Sequence, residues 1–148
     1  MRLKALHFVA IMLTALALVP AGAHVFALPN KIDLPQDAYF TVQAIYRGWS
    51  LFGFVLIPAM LANAALALVT RAQPARALAL LAALLLAANL AIFFAWTFPA
   101  NQATANWTMA PSDWTTLRAQ WEYSHAVNAG LTFLALGALV LAAVRRGD

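Results

Sequence analysis

Residues 77–98, ALALLAALLLAANLAIFFAWTF, contain no charged side chain and are long enough to cross the hydrocarbon core of a bilayer as one helix. Three further apolar stretches of similar length occupy residues 5–28, 48–70 and 126–144. A segment that lies alone in lipid must satisfy its backbone N–H and C=O groups internally, which a helix does. The sequence therefore predicts an all-α fold, a transmembrane four-helix bundle that forms a single domain over residues 1–148.

The composition of the whole chain excludes several classes of protein. Hydrophobic residues make up 64% of the chain and charged residues only 9%, whereas soluble domains are about 25% charged. The chain has no cysteine, so disulfides, thiolate metal ligands and cysteine nucleophiles are excluded. The net charge of +4 does not indicate nucleic-acid binding, because most basic residues lie at the ends of the predicted spans. The expected partner is the lipid bilayer.

The basic residues at the span ends predict an orientation. One side of the predicted bundle carries three basic pairs: Arg2 with Lys4, Arg71 with Arg76, and Arg145 with Arg146. The positive-inside rule makes this side cytoplasmic, so we expect an N-in, C-in protein of a bacterial inner membrane. On the extracytoplasmic side, Asp37 and Ser112 are expected to cap helices that extend spans two and four beyond the bilayer.

The first span also has the features of a signal peptide, namely a basic start, an apolar run and the small residues Ala-Gly-Ala at 21–23. Cleavage after this triplet would make His24 the first residue, where it could bind copper together with its own amino group. The apolar character continues to Leu28. The segment is therefore expected to remain in the protein as a helix.

Ionisable and aromatic side chains collect at the extracytoplasmic end of all four predicted helices. Ionisable residues near the hydrocarbon are costly and usually face the interior of a bundle, where they mark function. We therefore expect one site at this end. Its expected catalytic residues are His24, Arg47, Glu122 and His125, and its expected substrate-binding residues are Tyr46, Trp49, Trp96, Asn101, Trp107, Trp114, Arg118 and Trp121.

The fourth span carries the densest group of these residues. Arg118 precedes Glu122 by four residues and His125 follows it by three, so a helix places them on adjacent faces. A carboxylate one turn from an imidazole can fix the tautomer of the ring, which suits a general base. The structural alternative is that Arg118 and Glu122 form an interfacial ion pair while His125 packs between helices.

Three tryptophans in this region, Trp107, Trp114 and Trp121, recur every seven residues. They fit an anchoring belt at the membrane interface, and they also fit an aromatic wall for a flat ligand. Asn63 and Asn89 lie inside spans two and three, where asparagine more often hydrogen-bonds between helices than binds a ligand.

His24 and His125 are expected at one depth on different helices, which leaves two kinds of metal site open. One is a haem held by both imidazoles. The other is a mononuclear metal held by the two histidines and Glu122. The spacing requires neither, so no cofactor and no metal is predicted.

The stretch FPANQATANWTMAPSDWTTLRAQWEYSHAVNAGLTFLALGAL at 98–139 resembles the C-terminal signature of the anthrone oxygenase-like family, whose domain was long catalogued as one of unknown function. The stretch AHVFALPNKIDLPQDAYFTVQAIYRGW at 23–49 resembles the first extracytoplasmic region of that family. The family pattern falls on Asn101, Asn106, Trp107, Trp114, Arg118, Trp121 and His125.

This resemblance implies a small membrane protein with four helices. It also implies a cofactor-free oxygenase, because characterised fungal members turn anthrones into anthraquinones. The expected function is thus an oxidoreductase that acts on an aromatic or other lipophilic small molecule at the outer mouth of the bundle. The alternative is a non-catalytic membrane protein, an assembly or partner subunit, in which the polar cluster only ties the helices together.

Overall fold

A computed structural model describes residues 2–71 and 73–145. Arg146, one of the residues that predicted the orientation, lies outside the described residues, and the side chain of Arg2 is not described. Within the described residues the fold is all helical, without a strand. The elements in order are α1 (Arg2–Lys31), α2 (Gln36–Gln43), two 3-10 turns (Ala44–Tyr46 and Trp49–Phe52), α3 (Gly53–Val69), α4 (Gln73–Ile92), a π-helical turn (Phe93–Thr97), α5 (Phe98–Ala103) and α6 (Trp114–Val144).

Four helical stretches are long and apolar enough to cross a membrane, which confirms that part of the prediction. They are Leu3–Lys31, Trp49–Val69, Pro74–Ala103 and Trp114–Val144. Large hydrophobic side chains remain exposed on all four, including Phe8, Phe54, Leu84 and Phe133. A contiguous apolar exterior of this kind marks a surface that is made to be covered, and lipid covers such a surface on every side.

The four long helices pack as a closed square with antiparallel neighbours. α6 lies between α1 and α4, and α3 lies between the same two helices on the other side. The core consists mainly of alanine with a few leucines, such as Ala59, Ala82, Leu86 and Ala135. Small residues allow backbones to approach closely, which is how helices associate in lipid, where burial from water contributes nothing.

Polar residues inside the bundle join neighbouring helices, as predicted for the two asparagines. Asn63 on α3 donates to the Thr14 hydroxyl of α1 at 3.1 Å. Asn89 on α4 donates to the Thr132 hydroxyl of α6 at 2.9 Å. These amides therefore join the helices of the bundle by hydrogen bonds.

The second span differs from the expected continuous helix that begins at an Asp37 cap. Pro35 holds the N-cap position of α2, and no side chain caps this helix. The helical path then breaks at Arg47, whose backbone is extended, and at Gly48, which has a φ of +86°. Glycine adopts this left-handed conformation without a side-chain clash, so the chain turns here before α3 begins.

Two other helix boundaries also differ from the prediction. α6 begins at Trp114 with Asp113 in the N-cap position and without a side-chain cap, so the predicted Ser112 cap is wrong. The cause is a tight turn before the helix, in which the Trp114 N–H donates to the Pro111 carbonyl at 3.1 Å. α1 continues beyond the predicted end at Leu28 to Lys31, a cation that suits the C-terminal end of a helix.

The third span is longer than the predicted 77–98 and contains a wide π-helical turn. In this turn the Phe98 N–H donates to the Phe93 carbonyl, five residues earlier. Pro99 follows directly, and a proline ring clashes with the carbonyl four residues before it in a regular helix. The wider turn gives the ring room, and the helix continues as α5 to Ala103.

Candidate functional site

A cavity of about 550 Å³ opens at the end of the bundle where α1 ends and α6 begins. Its wall comes from α1, from the broken connection between α2 and α3, from the π turn and α5 with the loop after it, and from α6. Eight of the predicted site residues line it: His24, Tyr46, Arg47, Trp49, Asn101, Trp107, Trp121 and His125. The other four, Trp96, Trp114, Arg118 and Glu122, lie outside its lining.

Two histidines from different helices meet in the wall of the cavity. The rings of His24 and His125 stack with their centroids 3.9 Å apart and their planes 22° from parallel. Trp121 stands edge-on to both rings, at 4.9 Å from His24 and 4.2 Å from His125. Tyr46 packs against His24 at 4.3 Å. The predicted meeting of α1 and α6 through their histidines is therefore found.

The two histidines differ in how far they are buried. His24 is only 5% exposed, and its Nδ1 has no hydrogen-bond partner among the described residues. His125 is half-buried as a residue and lines the cavity. An imidazole that faces a cavity can exchange a proton with a ligand there. We call His24, Arg47 and His125 the cavity group.

The stacking also bears on the metal sites that the sequence left open. A haem held by both imidazoles would have to separate two rings that are in face-to-face contact. Across the described part of the chain, no three His, Cys, Asp or Glu side chains lie close enough together to hold a metal ion. The third proposed ligand, Glu122, instead points into a different set of contacts.

Glu122 forms a buried ion pair with Lys31. The Lys31 Nζ lies 2.9 Å from the Glu122 Oε1, and the two residues are 3% and 1% exposed. The Tyr39 hydroxyl donates to the same carboxylate oxygen at 2.9 Å, and the Gln43 amide donates to the Tyr39 oxygen. We call Lys31, Tyr39, Gln43 and Glu122 the ion-pair cluster.

The ion-pair cluster sets the orientation of the Gln43 amide. Burial raises the pKa of Tyr39, and the neighbouring Glu122 charge raises it further, so the hydroxyl keeps its proton and donates it to the carboxylate. The Tyr39 oxygen must then accept from Gln43 Nε2. This leaves Gln43 Oε1 as a buried acceptor without a partner among the described residues, on a side chain that lines the cavity.

Arg118 neither lines the cavity, as a substrate-binding residue would, nor forms the alternative ion pair with Glu122. Its Nη1 donates to the Leu34 carbonyl at 2.7 Å, and its guanidinium lies over the rings of Trp114 and Tyr39 at 4.7 and 5.4 Å. Within the described residues the only salt bridge is that between Lys31 and Glu122. Arg118 therefore supports the loop after α1 from outside the cavity.

The predicted tryptophan wall divides into two parts. Trp107 and Trp121 line the cavity, and both indole N–H groups donate to the Asn101 Oδ1, at 3.1 and 2.8 Å. Trp114 instead packs against Tyr39 and lies outside the lining. Trp96 is 53% exposed and also lies outside it, which suits a position against lipid.

The loop that carries Trp107 has an uncommon backbone. Ala105, Asn106 and Trp107 have φ values of 47°, 56° and 62°. Residues with side chains rarely adopt this left-handed region, and such strain is found mainly where a site requires it. All three residues line the cavity, so the strained turn builds part of its wall.

Three members of the ion-pair cluster, Lys31, Tyr39 and Gln43, were absent from the site predicted from the sequence. Glu122 is the one acidic residue between Trp114 and Val144, and a lysine at the end of an apolar helix needs a carboxylate partner when it is buried. The need of Lys31 for a carboxylate partner was therefore the signal in the sequence that could have predicted its pairing with Glu122.

Comparisons of the chain with protein-family models, with curated proteins and with solved structures give no match.

Proposed function

We propose that the protein is a membrane oxidoreductase of the anthrone oxygenase-like kind, which binds a flat aromatic substrate in the cavity and oxidises it with O₂. The observation that carries the proposal is a single cavity that touches His24, Arg47 and His125. α1, the break between α2 and α3, and α6 supply these three residues, and aromatic residues line the same cavity. A purely structural cluster has no need of an open space at its centre.

The size and lining of the cavity suit a polycyclic aromatic molecule. Its volume of about 550 Å³ lies within the range of about 300–1,000 Å³ for small-molecule sites. Trp49, Trp107 and Trp121 line it, and indole rings bind flat aromatic ligands by stacking and edge contacts. Entry from the lipid would suit a substrate that dissolves poorly in water.

In this proposal His125 is the general base. The substrate is an anthrone-like ketone whose benzylic C–H is acidic because the resulting carbanion is an enolate. His125 accepts that proton, and Arg47 or His24 stabilises the enolate oxygen. Glu122 does not orient His125, since its carboxylate is held by Lys31 and Tyr39. The stacked His24 ring takes over that positioning.

The oxidation needs no electron carrier besides O₂. The enolate carbon gives its electron pair to O₂, and a hydroperoxide forms on that carbon after protonation. The hydroperoxide then loses the second C–H proton together with hydroxide, which leaves as water. The net change converts one CH₂ group and one O₂ into a carbonyl and one water, so the carbon is oxidised and the O₂ reduced.

A second candidate function rests on the ion-pair cluster. Its buried contacts join α1, α2 and α6 through Lys31, Tyr39 and Glu122. Contacts of this kind would hold the helices together in a non-catalytic subunit. This cluster lies beside the cavity and leaves it open. We therefore assign the ion-pair cluster to structure and the cavity group to ligand chemistry.

The orientation follows the positive-inside rule. Lys4, Arg71, Arg76 and Arg145 are exposed at the end of the bundle opposite the cavity. With those residues in the cytoplasm, the protein has an N-in, C-in topology in a bacterial inner membrane, and the cavity opens toward the extracytoplasmic side.

The function is tested by anthrone oxidation with the protein purified in detergent. O₂ uptake and anthraquinone absorbance are followed against a blank without protein, which corrects for spontaneous oxidation. We expect His125→Ala to lose at least about 100-fold in rate, since a positioned base contributes about 10²–10⁴-fold. His7→Asn, at the far end of the bundle, is the matched control and should keep the parent rate. Equal rates for His125→Ala and the parent would show that the mechanism is wrong.

A further inference from the structure

The cavity holds a single permanently charged side chain. Arg47 is the only arginine, lysine, aspartate or glutamate that lines it within the described residues. The other polar groups in the wall are imidazoles, amides and hydroxyls, for example His24, Gln43 and Asn101. Among the described residues Arg47 is therefore the one charged residue in the wall itself, while the Lys31 ammonium lies behind the wall, 4.5 Å from the Tyr46 ring and 5.1 Å from the Trp121 ring.

Among the described residues no carboxylate lies within salt-bridge distance of Arg47. The single salt bridge in the described part of the chain joins Lys31 to Glu122. The other arginine at this end, Arg118, is held by the Leu34 carbonyl and by aromatic rings outside the cavity. A guanidinium offers five N–H donors in a fixed fork that matches a carboxylate. Arg47, an exposed residue in the lining of the cavity, thus keeps a guanidinium without a carboxylate partner among the described residues.

The break in the backbone places Arg47 in the same cavity wall as Tyr46 and Trp49. On a continuous helix with 3.6 residues per turn, Arg47 and Trp49 would lie about 200° apart and face opposite sides. The left-handed Gly48, with a φ of +86°, turns the chain between them. Tyr46, Arg47 and Trp49 consequently line the same cavity. The chain gives up helical hydrogen bonds here and gains an arginine in the wall of the cavity.

We propose that the ligand of this cavity is an aromatic acid, whose flat ring system lies among the tryptophans and whose anionic oxygen group binds Arg47. This inference rests on the proposed function in one respect only, the flat aromatic ligand. An anionic oxygen group is also found on lipids, so the test separates an aromatic acid from a lipid-like acid.

The experiment measures binding of two probes that differ in charge alone, anthracene-2-carboxylate and anthracene-2-carboxamide. Energy transfer from protein tryptophan to the anthracene ring reports occupancy of the cavity in uncharged detergent micelles. Each probe is titrated into the parent, Arg47→Gln, Arg47→Lys and Arg76→Gln. Arg76 is an exposed arginine at the opposite end of the bundle and serves as the matched control. Comparing variants in one detergent cancels the partition of each probe into micelles.

We expect the parent to bind the carboxylate about tenfold more tightly, relative to the carboxamide, than Arg47→Gln does. Arg47→Lys should keep part of this preference, Arg76→Gln all of it, and the carboxamide should bind every variant equally. A second aromatic acid, naphthalene-2-carboxylate, should displace the probe, whereas decanoate should not. If decanoate displaced the probe as strongly as naphthalene-2-carboxylate does, the ligand would be a lipid-like acid and the inference would be wrong.

Other outcomes separate this inference from the proposed function. If both probes bind tightly and Arg47→Gln leaves their ratio unchanged, the anionic ligand is wrong while the aromatic cavity stands. If neither probe binds the parent, both the inference and the aromatic substrate are wrong.

Discussion

The ion-pair cluster and the cavity group lie side by side at one end of the bundle, yet their charges are treated in opposite ways. Lys31 and Glu122 are buried and paired within 2.9 Å. Arg47 and His125 face an open cavity, and Arg47 has no acidic partner among the described residues. The two opposite charges of the ion-pair cluster are paired with each other, because an unpaired buried charge is too costly. Charges left free beside a cavity are available to a ligand.

The largest expected effect tests the structural half of this comparison. Glu122→Ala leaves Lys31 buried without its partner, and breaking a buried pair in this way costs about 3–5 kcal/mol. We expect a loss of that size in the free energy of unfolding, measured by denaturant titration in detergent. The double variant Lys31→Met, Glu122→Leu removes both charges and should recover most of the loss. A single variant as stable as the parent would mean that the pair is not a structural element.

A smaller effect is expected from pH, through Tyr39. Its pKa is raised in the folded protein above the usual value of 10.0, so the folded state holds the hydroxyl proton more tightly than the unfolded state. This contribution is complete below about pH 10 and is lost as the pH rises further. The parent should therefore lose more stability between pH 9 and 11 than Tyr39→Phe, as followed by thermal unfolding across that range. Parallel losses in both proteins would contradict the assignment.

The smallest expected effect concerns the left-handed turn at Gly48, which follows Arg47 of the cavity group. Gly48→Ala puts a side chain on a residue with a φ of +86°, although the added Cβ would meet no atom within 4 Å. The cost is that of the backbone alone, about 1–2 kcal/mol. Gly53→Ala, at a glycine with an ordinary helical φ, should be neutral or slightly stabilising. Equal stability of the two variants would show that the turn stores no strain.

The sequence was sufficient for the bundle because the length and apolarity of each span are local properties. A run such as residues 77–98 has few stable alternatives to a helix in lipid. Consecutive spans that each cross the bilayer must run in opposite directions, which makes them antiparallel. None of this depends on which side chains meet.

The site was predicted only in part, because it depends on the directions in which side chains point, and sequence spacing alone does not determine them. Glu122 and His125 are three residues apart, which is about 60° short of a full turn. That angle is enough to aim the carboxylate at Lys31 and the imidazole at the cavity. Similarly, the isolated Gly48 after Arg47 gave only a weak signal for a break, although it decides which residues share the wall.

Asn101 supplies one hydrogen-bond acceptor for two of the aromatic rings that line the cavity. One carbonyl oxygen accepts from both Trp107, on the strained loop, and Trp121, on α6. The loop that carries Trp107 and the helix α6 are therefore connected through hydrogen bonds to the same oxygen atom. Because the two N–H donors share one acceptor, displacement of one indole by a wide ligand would leave the other indole hydrogen-bonded, so either ring is expected to move without releasing its neighbour.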